Sequence, residues 1–95
     1  SGIKMKILEA MSIGAPCVLT TKAAEGLAIE SIIPVHKNKE SFISDIQSLL
    51  TSKENAIQRG EHGKQYIQAH FSSELVYEIL EEQFIPSVWF LKNNQ

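Results

Sequence analysis

The stretch Glu9-Ala10-Met11-Ser12-Ile13-Gly14-Ala15-Pro16-Cys17-Val18-Leu19-Thr20 limits the fold more than any other part of the chain. Ile7, Leu8 and Met11 share one face at helical spacing, which predicts a short amphipathic helix over about Met5 to Ile13. Gly14 stands where that helix must stop, and glycine adopts the left-handed conformation that ends helices at no steric cost. Pro16 then holds Ala15 out of the helical region and turns the chain. Cys17-Val18-Leu19-Thr20 follows as a short buried strand. Ahead of the helix, Gly2-Ile3-Lys4-Met5 forms a glycine-led loop. Loop, helix, turn and strand make half of a nucleotide-binding α/β unit. Its helix N-terminus offers free N–H groups and positive dipole charge to an anion.

The downstream sequence continues the α/β pattern. Thr20 to Ala28 is a loop around Gly26. Loops at the carboxyl ends of strands line the ligand crevice of such sheets, although Thr20 and Thr21 also fit as ordinary strand-end residues. Ile32-Ile33-Pro34-Val35-His36 is a second strand, placed near an edge because Pro34 cannot donate to a ladder. Asn38 caps a helix of about Lys39 to Leu50 with an apolar face of Phe42, Ile43, Ile46, Leu49 and Leu50. Thr51-Ser52-Lys53-Glu54 has the capping-box pattern and opens a helix running to about His70. Gly60 and Gly63 weaken its middle by about 1 kcal/mol each relative to alanine, so a break or kink is expected there. Ser72 or Ser73 begins a last helix with Leu75, Val76, Ile79, Leu80 and Phe84 as its buried stripe, ended by Pro86. The fold class is therefore α/β, with short parallel strands flanked by several helices.

Composition narrows the function classes. With 95 residues, one small domain and a modest core are expected. The net charge of −2, with both signs interspersed, argues against a nucleic-acid module, which needs a basic face. Cys17 stands alone, so no internal disulfide forms and a reducing, cytoplasmic setting is expected. No signal-peptide pattern and no apolar run of membrane-spanning length is present.

The run Glu9-Ala10-Met11-Ser12-Ile13-Gly14-Ala15-Pro16-Cys17-Val18 resembles, in order and spacing, the Glu-Ala-Met, spacer, Gly-x-Pro and strand pattern of the group 1 retaining glycosyltransferases, which have two Rossmann-like domains (the GT-B architecture). Ala24-Glu25-Gly26-Leu27, the helix ending in Leu49-Leu50, and the helix through Gly63-Lys64 to His70-Phe71-Ser72 also look like that family. The resemblance thus covers nearly the whole chain. Such enzymes are several times longer, so it implies that these residues are the C-terminal half of a donor-nucleotide-binding domain. It further implies transfer of a sugar from a nucleotide-diphosphate donor to a glycan or lipid acceptor, with the acceptor held by an N-terminal domain. These residues alone are then expected to be inactive. No cofactor and no obligate metal are implied, and the location is cytoplasmic, extending to the inner face of the membrane.

Residue by residue, the resemblance gives Glu9 the donor ribose. An ionised carboxylate accepts two hydrogen bonds and so suits a vicinal diol. Without the resemblance, Lys6 and Glu9 three apart fit a surface ion pair. The resemblance also places Gly2, Ile3, Lys4 and Met5 against the donor sugar and diphosphate through backbone N–H groups, with Lys4 and Lys6 adding charge. Some branches of the family carry a similar Gly-x-Lys-x-Lys loop. One departure is clear: the family's second carboxylate stands eight positions before the ribose glutamate, where this chain has Ser1. Contact of a carboxylate with the donor sugar is therefore not carried over.

Other residues offer less. His36, His62 and His70 lack metal-ligand spacing. Cys17 fits packing better than nucleophilic attack, and Glu81-Glu82 fits a solvated helix face. The sequence order offers no Ser-His-Asp arrangement and no Walker-type phosphate loop. The apolar tail with Phe84, Ile85, Val88, Trp89, Phe90 and Leu91 calls for a partner: the N-terminal domain of a longer enzyme, a second copy, or a membrane surface. Two rival functions share parts of this pattern. A sugar-nucleotide epimerase with two Rossmann-like domains would bind the same donor class, and a non-enzymatic helical module would dock a partner through Trp89 and Phe90.

Overall fold

The structure, a computed structural model, describes residues 2–83. It is a small mixed α/β domain with the order α1 (Gly2–Ser12), β1 (Leu19–Thr20), β2 (Val35–His36), α2 (Lys39–Thr51), α3 (Lys53–His70) and α4 (Ser73–Gln83). The expected tail contacts of Phe84 to Leu91 and the stop at Pro86 lie outside the described residues. Among those described, no helix is long and apolar enough to cross a membrane.

Helix α1 ends as its sequence requires. Gly14 takes φ 77°, the Ala15 N–H donates to Ala10 O at 2.9 Å and the Gly14 N–H to Met11 O at 3.1 Å. This crossed pair of bonds closes the helix on its own last carbonyls. At the other end, α1 begins at Gly2 instead of near Met5, so the expected loop Gly2-Ile3-Lys4-Met5 is a helical turn. Ile3, Lys4, Met5 and Lys6 include no helix breaker, and the ladder extends back through them.

Strand β1 is only Leu19–Thr20 and β2 only Val35–His36, both shorter than expected. They pair in parallel, Leu19 opposite Val35 and Thr20 opposite His36. Cys17 and Val18 stay outside the ladder. Ile32 and Ile33 instead close a turn, both their N–H groups donating to Ile29 O. Parallel strands need a long crossover. Residues 21–34 supply it as successive turns, with Gly26 at φ 85° and Ala28 at φ 53°.

Asn38 caps α2 as expected, its Oδ1 accepting from Ser41 N at 2.9 Å. The capping box at Thr51 does not form. Thr51 is the last residue of α2 and its hydroxyl donates back to Gln47 O. Ser52 caps α3 in its place, its hydroxyl accepting from Asn55 N. Ser72 caps α4 in the same way, through Leu75 N.

The core is Ile7, Met11, Cys17, Leu19, Ala24, Ile29, Ile33 and Ile67. Met11 is fully buried and meets Ile33 under Gly63 of α3. Helix α3 is continuous, so the break expected at its glycines is absent. Both glycines are buried because α3 crosses α1 there. A methyl on Gly60 would run into the Gly14 carbonyl, and one on Gly63 would come within 3.2 Å of Met11 Cγ. The apolar face of α2 buries less than its spacing implies. Nothing on α2 is fully buried, Ile43 is exposed and Leu50 is 80% exposed, because two strands of two residues each are too narrow to cover the helix. On α4, Val76 packs against the core while Leu75 is exposed.

These contacts give a pair of unequal outcomes. Gly60→Ala collides with backbone and is expected to lower unfolding stability by about 2 kcal/mol. Gly63→Ala meets side chains instead of backbone, Met11 Cγ at 3.2 Å and Ile33 Cδ1 at 3.5 Å, and gains about 1 kcal/mol of helix propensity, so it is expected to cost about 1 kcal/mol less than Gly60→Ala or to leave stability near the parent's. Urea unfolding followed by circular dichroism separates the two. Equal losses would contradict the crossing.

Candidate functional site

In a parallel sheet with helical connections, ligands bind outside the carboxyl ends of the strands. Three elements meet at that end here: the start of α1, the loop after β1, and the start of α2. The first meeting is direct. A Cβ placed on Gly26 would lie 2.8 Å from Lys4 Nζ, so the Lys4 ammonium sits over the loop that follows Thr20. That loop is built on Thr20, whose Oγ1 accepts from Ala23 N and whose carbonyl accepts from Ala24 N. Thr21 ties it to β2, donating from both its N–H and its hydroxyl to His36 O.

Glu9 is the outlier of α1. At about 100° per residue it stands opposite the line through Ile7 and Met11, so it is on the face that an amphipathic helix would leave in water. It is nevertheless only 3% exposed. Its Oε1 is buried with no hydrogen-bond partner among the described residues. The expected surface ion pair with Lys6 is not formed; Lys6 is exposed, and the ion pairs among the described residues are those of Asp45. A buried polar atom without a partner costs about 1–3 kcal/mol, more when charged. Native structures keep few of them, and those few call for a functional account.

The other residues expected at the site are spread along the first turns. Ile3 and Lys4 are exposed, Met5 is half-buried and Gly2 begins the helix. Because the helix starts at Gly2, the unpaired N–H groups of the first turn belong to Gly2, Ile3 and Lys4, while Met5 falls within the hydrogen-bonded ladder.

A second cluster escaped the sequence reading. Asp45 accepts from Arg59 through both oxygens, at 2.7 and 2.9 Å, and from His36 Nε2 at 2.7 Å. Arg59 also donates to Cys17 O at 3.0 Å, and His36 Nδ1 lies 3.1 Å from Ser41 Oγ. Ser41, His36 and Asp45 thus form the Ser-His-Asp chain that the sequence order did not offer. It is a tie and not a nucleophile. Arg59 holds the carboxylate in a two-pronged grip, and the Ser41 hydroxyl is also within reach of Asn38 O at 3.2 Å as a donor. The hydrogen bonds from Arg59 hold Asp45 below the ordinary carboxylate range. Burial pushes the Cys17 thiol up, which suits packing. The signal for this cluster was present: Asp45 sits three residues after Phe42 and four before Leu49, inside the apolar stripe of α2. A charge in such a stripe needs a partner.

A cleft of about 570 Å³ opens at the opposite end of the sheet between Pro34, Ser48, Leu49 and Gln58. The carboxyl end holds a cleft of about 450 Å³ between Thr20, Thr21, Lys22, Lys37, Asn38 and Lys39. The position of the strands favours the smaller one as a ligand site. Comparison with known protein families, with curated proteins and with solved structures finds no match.

The Asp45 cluster carries a pH dependence. The folded carboxyl ionises below the unfolded value of about 3.9, so its stabilisation is complete above that value and fades as pH falls through the folded one. Asp45→Asn leaves Arg59 half-buried and unpaired, and is expected to cost about 3 kcal/mol at pH 7. It also removes part of the stability loss that the parent shows below about pH 4. Urea midpoints across pH check both statements, and parallel acid profiles would contradict them.

Proposed function

We propose that this chain is the nucleotide-holding part of a retaining glycosyltransferase, and that Glu9 takes the ribose hydroxyls of a nucleotide-diphosphate sugar. The observation that carries the reading is the buried Oε1 of Glu9, without a hydrogen-bond partner among the described residues. A folded domain has no stability reason to keep a carboxylate there, whereas a vicinal diol supplies two donors that match one carboxylate. The position agrees with the family resemblance of Glu9-Ala10-Met11 followed by Gly14-Ala15-Pro16. The closure of α1 at Gly14 and the crevice end of the strands are both in keeping with a Rossmann-like half-domain.

In this reading the unpaired N–H groups of Gly2, Ile3 and Lys4 face the donor diphosphate, helped by the helix dipole. Lys4, and more distantly Lys6, add positive charge. Lys4 must then exchange its place over Gly26 for the phosphates when donor binds. Sugar transfer itself needs the acceptor domain, so the chain alone is expected to bind donor without turning it over. The acceptor is a glycan or a lipid.

The test is an amide NMR titration of the chain with UDP and with GDP. Shifts are expected at Gly2 to Glu9 and in the loop around Gly26. Glu9→Gln is expected to weaken binding about tenfold, the worth of a charge-assisted hydrogen bond. The same substitution should leave stability within about 1 kcal/mol of the parent, since the amide sets a polar group of the same shape in the same buried place. A Glu9→Gln chain that is clearly destabilised and binds nucleotide as well as the parent would make Glu9 structural and sink the proposal.

A further inference from the structure

The cleft between the loop after β1 and the start of α2 plays no part in the Glu9 reading, yet its chemistry is one-sided. Lys22, Lys37 and Lys39 line it and no carboxylate does. Glu25 and Glu40 lie in the flanking segments, exposed and outside the lining. In a chain with a net charge of −2 and nine basic residues, three of the nine surround this one hollow. Among the described residues none of the three lysines has an ion-pair partner.

The hydrogen-bond inventory of the cleft points the same way. Several of its acceptors are already engaged. The His36 carbonyl takes both donors of Thr21, and Asn38 Oδ1 takes Ser41 N. Both ring nitrogens of His36 are occupied by Ser41 and Asp45. Beside the Phe42 ring, the side-chain groups that remain free there include three ammonium groups, the Asn38 amide hydrogens, and the Thr20 hydroxyl hydrogen, whose oxygen already accepts from Ala23 N. A lysine on open surface is merely solvated. Three around one concavity raise the local positive potential and complement a ligand rich in acceptors.

We propose that this cleft binds a phosphate-bearing ligand, at a site separate from the Glu9 end of α1. A phosphate group offers several charged acceptor oxygens to the ammonium groups and to Asn38 and Thr20 together, where a carboxylate offers only two. The phosphate arrives either on a soluble ester or on a lipid headgroup, since both present the same oxygens.

The test is an amide NMR titration of the full 95-residue chain with pyrophosphate and inorganic phosphate at low ionic strength. Acetate at matched ionic strength is the control. Saturable shifts are expected at Thr20 to Lys22 and Lys37 to Lys39, absent with acetate. The double substitution Lys37→Gln with Lys39→Gln should weaken them about fivefold or more, while Lys53→Gln, at the start of α3, should not. The comparison of phosphate with acetate needs no variant, so the test survives any loss of folding in the double substitution. No saturable shift, shifts confined to Gly2 to Lys6, or equal shifts with acetate would overturn the site. Sedimentation with phosphatidylcholine vesicles, with and without phosphatidate, distinguishes the sources. Capture by phosphatidate alongside pyrophosphate binding assigns a lipid-borne phosphate, and pyrophosphate binding without capture assigns a soluble ester.

Discussion

The close crossing of α3 over the end of α1 is the contact on which the rest of this small domain depends. Gly60 lets the α3 backbone lie against the Gly14 carbonyl, and Gly63 leaves room for Met11 beneath it. Beside them Arg59 donates to Cys17 O and grips Asp45. One side of α3 therefore fixes the α1–β1 turn through backbone contact, the core through Met11, and α2 through an ion pair. A domain with two strands of two residues each cannot organise its helices from the sheet, so helix-to-helix contact takes over that task.

This arrangement explains why some elements were legible in the sequence and others were not. Local punctuation carried well: the Gly14 closure, the Asn38 cap and a start for the last helix at Ser72–Ser73 depend on residues within one turn of each other. Thr51 reads as a cap, yet Ser52 competes with it one residue later, and only the length of α2 decides between them. Gly60 and Gly63 looked like weak points, since helix propensity registers the missing side chain but not the neighbour that needs the space. Asp45 left a trace as a charge on an apolar face. Its pairing with Arg59 spans fourteen residues, however, and nothing local identifies the partner.

The site divides in the same way. Glu9 was singled out through the motif around it, while its helical spacing with Lys6 favoured an ordinary surface pair. Burial separates the two, and burial is a tertiary property that spacing does not encode. The expected loop of Gly2 to Met5 became a helical turn, which moves the unpaired donors toward the chain start without removing them. The lysines at the crevice end are far apart in sequence, so Lys22 gave no sign of meeting Lys37 and Lys39.

The proposed donor site turns on whether Glu9 is kept for a ligand diol. The most direct measurement is calorimetric titration of the chain with UDP or GDP and with the corresponding 2′,3′-dideoxynucleotide, which keeps base and diphosphate and lacks both hydroxyls. With Glu9 holding the diol, the dideoxy ligand binds more weakly by about tenfold or more, and Glu9→Gln abolishes that difference. Equal affinity for the two nucleotides, or binding of neither, would contradict that role.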